Sequence, residues 1–177
     1  MNKVAIVTGA GTGVGKATAV KLSDAGFSVI LIGRRKDKLE ETKAVCNNQA
    51  LVFPMDVSNE VDVNKCFGMI EKNFSRIDLL FNNAGTFLSS KTIDEIKFSE
   101  WKEVIEVNIN GMFLFSKHAF SLMKNQSPMG GRIINNGSVS SITPRPGSIA
   151  YTATKHAVTG MTKSLALDGR PFNIVCS

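Results

Sequence analysis

The sequence predicts a doubly wound α/β fold, a parallel sheet sandwiched between two layers of helices. Three observations predict it. Apolar runs of strand length alternate with helical segments along the whole chain. Those runs are apolar throughout and lack a polar face, as expected of parallel strands covered on both sides. The polar motifs fall at the ends of the runs: a Gly-rich loop after Thr8, then Arg34, Asp56, Asn82 to Gly85, and Ser138. In open α/β sheets, ligands collect at the carboxyl ends of the strands, beside the point where strand order reverses. With right-handed crossovers, the expected strand order is 3-2-1-4-5-6 in one three-layer α/β/α domain spanning residues 1–177.

The elements follow in order. "KVAIVT" (3–8) reads as a buried strand and "GKATAVKLSDAG" (15–26) as a helix. "FSVILIG" (27–33) is the second strand, and "KDKLEETKAVCNN" (36–48) the helix after it. "ALVFPMD" (50–56) is the third strand, with a helix over about 59–74, and "IDLLFNN" (77–83) the fourth. One long helix is expected over 99–124, because Trp101, Val104, Ile105, Phe113 and Phe120 keep a helical spacing of apolar residues. "GRIINNGS" (131–138) is the fifth strand, "YTATKHAVTGMTKSLALD" (151–168) a helix, and "FNIVCS" (172–177) the sixth strand. No repeat, low-complexity tract or linker interrupts the alternation.

Composition narrows the classes. The 177 residues are 43% hydrophobic and 20% charged, ordinary for a globular domain. No apolar stretch approaches the roughly 18 residues of a membrane span. The first strand begins by Val4, leaving no room for a leader, so a cytoplasmic protein is expected. Cys46, Cys66 and Cys176 fit neither a zinc site nor a redox pair and read as spectator thiols. No metal site is expected. The net charge of +6 is concentrated late, where Asp168 is the lone acid between residues 107 and 177. Without a basic run or interleaved aromatics, that excess reads as solvated surface and not as a nucleic-acid face.

The loop after the first strand raises the question of which phosphate it holds. Gly15-Lys16 supplies the end of a P-loop, but Ala10 stands where its first glycine belongs. Ala17 replaces the hydroxyl that would meet Mg²⁺. The G-x-G-x-x-G dinucleotide pattern also fails, since Lys16 occupies its last position. What fits is Thr8-Gly9-x-x-x-Gly13-x-Gly15 at a strand-to-helix junction. Glycines there let backbone N–H groups approach a diphosphate, and the helix N-terminus adds partial positive charge. A plain tight turn is the alternative that the loop alone leaves open.

This spacing resembles the short-chain dehydrogenase/reductase family, and four more motifs stand in register with it. "NNAG" (82–85) follows the fourth strand, Asn108 lies in "VIEVNING", Ser138 ends "GRIINNGS", and Tyr151 and Lys155 form Tyr-x-x-x-Lys. The resemblance runs from Val4 to the last residue and implies a Rossmann-like sheet. Family members continue past the sixth strand into a lid, a further helix and a seventh strand, so the chain is expected to be the N-terminal two-thirds of such a protein.

The resemblance implies hydride transfer between a nicotinamide dinucleotide and a carbonyl or alcohol substrate. Gly9, Thr12, Gly13, Val14 and Gly15 would hold the diphosphate. Asp56 and Val57 would meet the adenine, and Asn83, Ala84 and Gly85 its ribose. Asn82 would tie strands together. Tyr151 is implied as the general acid/base. A phenol is a weak acid at neutral pH, and a neighbouring cation favours its ionised form. Lys155, one helical turn on, shares its face and would also hold the nicotinamide ribose. Ser138 would donate to the substrate oxygen, and Asn108 would position a water in a relay behind Lys155. For Asp56 the residues alone also allow a turn carboxylate before the next helix.

Cofactor choice follows from the second strand. Its end reads "LIGRRK", with Gly33 where an NAD-binding carboxylate would stand and no acid before Asp37. An acid there accepts from a ribose hydroxyl, whereas Arg can grip a 2′-phosphate by two hydrogen bonds. NADP(H) is expected over NAD(H), with Arg34 the better candidate of the Arg34–Arg35 pair on the resemblance. The resemblance also implies a homodimer or homotetramer through the apolar faces of the 99–124 and 151–168 helices. A non-catalytic dinucleotide sensor is the competing class, set against an enzyme by the intact Asn108, Ser138, Tyr151 and Lys155.

Overall fold

The computed structural model describes residues 3–177. Six strands form one parallel sheet: β1 (Val4–Thr8), β2 (Ser28–Gly33), β3 (Ala50–Pro54), β4 (Leu79–Asn82), β5 (Gly131–Asn135) and β6 (Ile174–Cys176). Their order is β3-β2-β1-β4-β5-β6, as the sequence predicts. β1 pairs with β2 on one side and β4 on the other. The winding therefore reverses at β1, and a crevice opens above its carboxyl end.

Alternate residues of each strand feed two cores. Val7, Val29 and Leu31 face α1 (Gly13–Asp24) and α2 (Lys36–Lys43), where Ala19 and Leu39 meet them. Ile6, Ile30 and Ile32 face the opposite layer, against Val63, Phe67 and Ile70 of α3 (Glu60–Phe74) and Phe115 of α5 (Met112–Asn125). α6 (Ile149–Asp168) adds Leu165 and Ala166 to that side. Each such Ile or Phe contributes roughly 1.5–3 kcal/mol by leaving water. This two-sided burial explains why the middle of β1, β2 and β4 is apolar on both faces, with polar residues such as Thr8, Ser28 and Asn82 kept to the strand ends.

Most bounds shift by two residues or fewer, and three expectations change by more. The segment over 99–124 is helical but not one α-helix. α4 (Phe98–Ile105) passes into a π-helical turn at Glu106–Gly111 before α5 begins. Such widened turns admit an extra residue without breaking the helix and recur at functional sites. This one carries Asn108, which is 2% exposed. It also brings Gly111 so close to Val57 that an added Cβ would lie 2.6 Å from Val57 Cγ2.

α2 stops at Lys43 instead of 48, because the Asn residues beyond it bond elsewhere. Asn47 donates to Asp24 at 2.7 Å, and the Asn48 amide donates to Ser23 Oγ at 2.8 Å. Side chains and amides that find local partners compete with the helix in this way. β5 ends at Asn135 and not at 138, because the Asn136 carbonyl turns to accept from Lys155. Ser138 then caps a short 3₁₀ turn over Val139–Ser141.

Candidate active site

The crevice above β1 holds a cleft of about 370 Å³. Its floor is the Gly-rich loop. Gly9 and Gly13 adopt φ of 66° and 54°, in the left-handed region that glycine enters without strain. Gly15 is required for space instead. A Cβ there would stand 2.2 Å from Gly9 O and 2.6 Å from Asn83 Nδ2. Gly9 and Thr12 line the cleft, while the Val14 side chain is 60% exposed. Gly13, Val14 and Gly15 do not line the cleft but form the first turn of α1, ahead of the Lys16 amide that donates to Thr12 O, and a helix start of this kind favours an anion.

Thr8 locks this loop to β4. Its hydroxyl accepts from the amides of Asn83 and Ala84, each at 2.9 Å, and donates to Phe81 O at 3.4 Å. Asn83, Ala84 and Gly85 thereby form the opposite wall of the cleft. Asn82 stays beneath it, 2% exposed, donating to Ser116 Oγ and Asn135 Oδ1. That is the strand-tying place the sequence gives it.

The third wall carries charge. Asp56 Oδ1 accepts from the Ser58 amide at 2.9 Å and the Ser58 hydroxyl at 2.7 Å. Asn59, not Asp56, caps α3, accepting from the Asp62 amide at 3.1 Å. The turn thus occupies one oxygen of Asp56, and no protein donor meets Oδ2 among the described residues. Burial pushes the Asp56 carboxyl up, but the two Ser58 hydrogen bonds and the Arg34 charge outweigh it and hold it below the usual range. Val57, Arg34 and Arg35 complete this wall. Sequence reasoning favoured Arg34, yet Arg35 is the one tied to the loop, its Nη2 donating to Thr12 Oγ1 at 3.3 Å.

A second cavity of about 450 Å³ contains both Ser138 and Tyr151. Ser138 Oγ accepts from the Ser140 amide at 3.1 Å, which leaves its own O–H to donate. Tyr151 and Lys155 share a face of α6, with Lys155 Nζ 5.5 Å from the centre of the Tyr151 ring. Lys155 is 7% exposed and donates to Asn136 O at 2.6 Å. No carboxylate pairs with it among the described residues. Burial accordingly lowers its pKa.

Asn108 ties the two halves of the site. Its Oδ1 accepts from the Thr86 amide at 2.8 Å, and its Nδ2 donates to Thr86 O at 2.9 Å and to Thr154 Oγ1 at 3.1 Å. Thr154, 0% exposed, in turn donates to Tyr151 O at 2.8 Å. The sequence names Thr8 only as the start of the glycine motif and does not announce its bonds to Asn83 and Ala84, nor Thr86, Thr154 and Asn136 as parts of the site. Thr154 was legible in part, since it lies three residues after Tyr151 on the same helix. His118 packs on Phe67 with ring centres 4.9 Å apart, away from both cavities. Burial pushes the Cys66 thiol up to about 12 and the Cys176 thiol up to about 11, so neither is a nucleophile at neutral pH.

Comparison with known proteins places these features. Residues 3–177 match the family described as short chain dehydrogenase. A 3beta-hydroxysteroid dehydrogenase of Mediterraneibacter gnavus is 34% identical over 178 residues, covering 99% of this chain and 63% of that protein. An uncharacterized oxidoreductase of Staphylococcus aureus is 38% identical over 165 residues, covering 93% and 70% respectively. Among solved structures, a 3-ketoacyl-(acyl-carrier-protein) reductase from Brucella melitensis, complexed with NADH, superposes with a TM-score of 0.94. It is 30% identical and covers 98% of this chain and 72% of its own. Acetoin dehydrogenase from Salmonella typhimurium gives a TM-score of 0.91 at 33% identity, over 99% of this chain and 70% of its own. The chain thus spans about two-thirds of the length of these relatives.

Proposed function

This chain belongs to the short-chain dehydrogenase family, and from that premise we propose that it is an NADP(H)-dependent oxidoreductase acting on a carbonyl or alcohol, with Tyr151 as its general acid/base. The observation that carries the proposal is the placement of Tyr151 beside a buried, carboxylate-free Lys155, in a cavity it shares with Ser138.

The residues of the cleft suit a dinucleotide. A Cβ on Gly9 would come within 2.9 Å of Asn83 Nδ2, so the loop keeps its backbone open for a diphosphate. Asp56 Oδ2 is an acceptor available to an adenine amino group. Arg34 and Arg35, with Gly33 in place of an acid, favour a 2′-phosphate. NAD(H) is the alternative that titration of both cofactors excludes or supports.

When bound, the reduced nicotinamide supplies a hydride to the carbonyl carbon. As negative charge develops on the carbonyl oxygen, Tyr151 transfers its hydroxyl proton to it and Ser138 donates a hydrogen bond to the same atom. The product is the alcohol, and a phenolate is left on Tyr151. The Lys155 ammonium, little screened in its buried position, stabilises that phenolate. Two of its three donors are free of protein partners to hold the ribose hydroxyls. Asn108 braces α6 against the Thr86 loop, and it is the residue through which a water relay behind Lys155 would pass. The oxidation of an alcohol runs the same steps backwards.

Apolar residues between α5 and α6, among them Phe113 and Leu167 at 53% and 56% exposed, fit self-association into a homodimer or homotetramer. A cytoplasmic setting accords with free thiols at Cys46, Cys66 and Cys176. The test of the reading is NADPH oxidation with a panel of aldehydes and ketones. Turnover that disappears in Tyr151→Phe supports it. Cofactor binding without any turnover points instead to the sensor reading.

A further inference from the structure

The cavity that holds Ser138 and Tyr151 has an apolar wall, to which Phe87, Leu88, Ile96 and Val139 contribute. Phe87 and Val139 are 74% and 80% exposed, so the mouth offers a hydrophobic surface to whatever enters. Among the described residues, one ionised side chain lines this cavity, that of Arg145.

The loop carrying Arg145 is held in place. Ser148 Oγ donates to Arg145 O at 2.6 Å and accepts from the Arg145 amide at 3.3 Å. Gly147, with φ of 68°, packs so tightly on Ser90 that a Cβ would clash with its hydroxyl. The Lys91 amide donates to Gly147 O at 3.3 Å, so the two loops of the mouth are tied together. Lys91 itself is neutralised by Glu100 at 2.6 Å. No carboxylate pairs with Arg145 among the described residues. The mouth therefore presents an apolar wall and one uncompensated guanidinium.

Building on the oxidoreductase reading, we propose that the substrate is a ketone or secondary alcohol with an apolar carbon body and a carboxylate remote from the reacting oxygen, and that Arg145 binds the carboxylate. A guanidinium matches one carboxylate in both charge and two-pronged geometry. A phosphate dianion would leave half its charge unanswered. The apolar wall accepts the carbon body, and Ser138 and Tyr151 receive the oxygen at the other end. The carboxylate then fixes which carbon faces the nicotinamide.

The test uses 4-oxocyclohexanecarboxylate and its methyl ester, which share ring and ketone and differ in charge. Affinity is measured by ligand-observed NMR titration with NADP⁺ present, and turnover separately by NADPH absorbance. The acid should bind about tenfold more tightly than the ester, the scale of one partly solvated charge-assisted contact. Arg145→Gln should abolish that preference, and Arg145→Lys should keep part of it. Equal affinity in the wild type, no binding of either compound, or a preference that survives Arg145→Gln overturns the assignment. Selective binding of the acid without NADPH oxidation would count against the oxidoreductase reading and leave the role of Arg145 standing.

Discussion

Replacing Gly15 with alanine tests the architecture of the cofactor loop. The added Cβ would lie 2.2 Å from Gly9 O, 2.6 Å from Asn83 Nδ2 and 2.8 Å from Gly9 C. Two of those atoms are backbone of the loop itself, so relief requires the loop and the start of α1 to separate. Overpacking of this kind costs about 1–3 kcal/mol. Alanine regains about 1 kcal/mol of helix propensity over glycine, so the net loss is about 0–2 kcal/mol. For a domain of this size that lowers the melting temperature by up to roughly 8 °C. Gly13→Ala is the control, because nothing lies within 4 Å of its Cβ and only its φ of 54° opposes the change. Melting by circular dichroism gives the stability, and NADPH fluorescence titration gives the affinity. Gly15→Ala should weaken NADPH binding more than Gly13→Ala does. A Gly15→Ala protein that melts with the wild type and binds NADPH equally well would refute the close approach of loop and helix.

Three further predictions concern the walls of the site. Thr154→Val strands one N–H of Asn108 Nδ2 while the other keeps Thr86 O, and a buried unmet donor costs about 1–3 kcal/mol; urea unfolding should show that loss, Thr154→Ser should restore it, and an unchanged midpoint in the valine variant would contradict the bridge. Asp56 has its folded pKa held below its unfolded value, so its contribution to stability is complete above about 3.9 and is lost as pH falls through the folded value. The stability gap between wild type and Asp56→Asn should therefore close on acidification below about pH 4, and a gap constant from pH 6 to 3 would argue against those hydrogen bonds. Arg34→Asp should weaken NADPH and spare NADH, read as the ratio of their dissociation constants; tighter NADH binding by the wild type would reverse the cofactor assignment.

The layered sheet was legible because its signals are local. Apolar runs such as "VAIVT" and "SVILIG" can be buried only between two helical layers, and Val7 and Ile6 do face opposite ones. That Tyr151 and Lys155 lie side by side was legible because one helical turn separates them, whereas the roles given to them rest on the family resemblance. The π turn at Asn108 was not, since an extra residue in a helix leaves the apolar spacing around it nearly unchanged. The clamp of Thr86, Asn108 and Thr154 joins residues far apart in the chain, and no short-range pattern announces such a contact. The bond from Arg35 to Thr12 was not legible either, because only the folded loop brings the two within reach. The ends of α2 and β5 were overrun for a related reason: the groups that stop them, Asp24, Ser23 and Lys155, come from other elements.

The most direct measurement is single-turnover NADPH oxidation by the wild type and Tyr151→Phe, each saturated with cofactor and a reducible ketone. Both proteins should bind NADPH alike, and the rate in the phenylalanine variant should fall by about 100-fold or more, the scale of a lost general acid. Equal rates in the two proteins would mean that the proton comes from another group, and the role given to Tyr151 would be wrong.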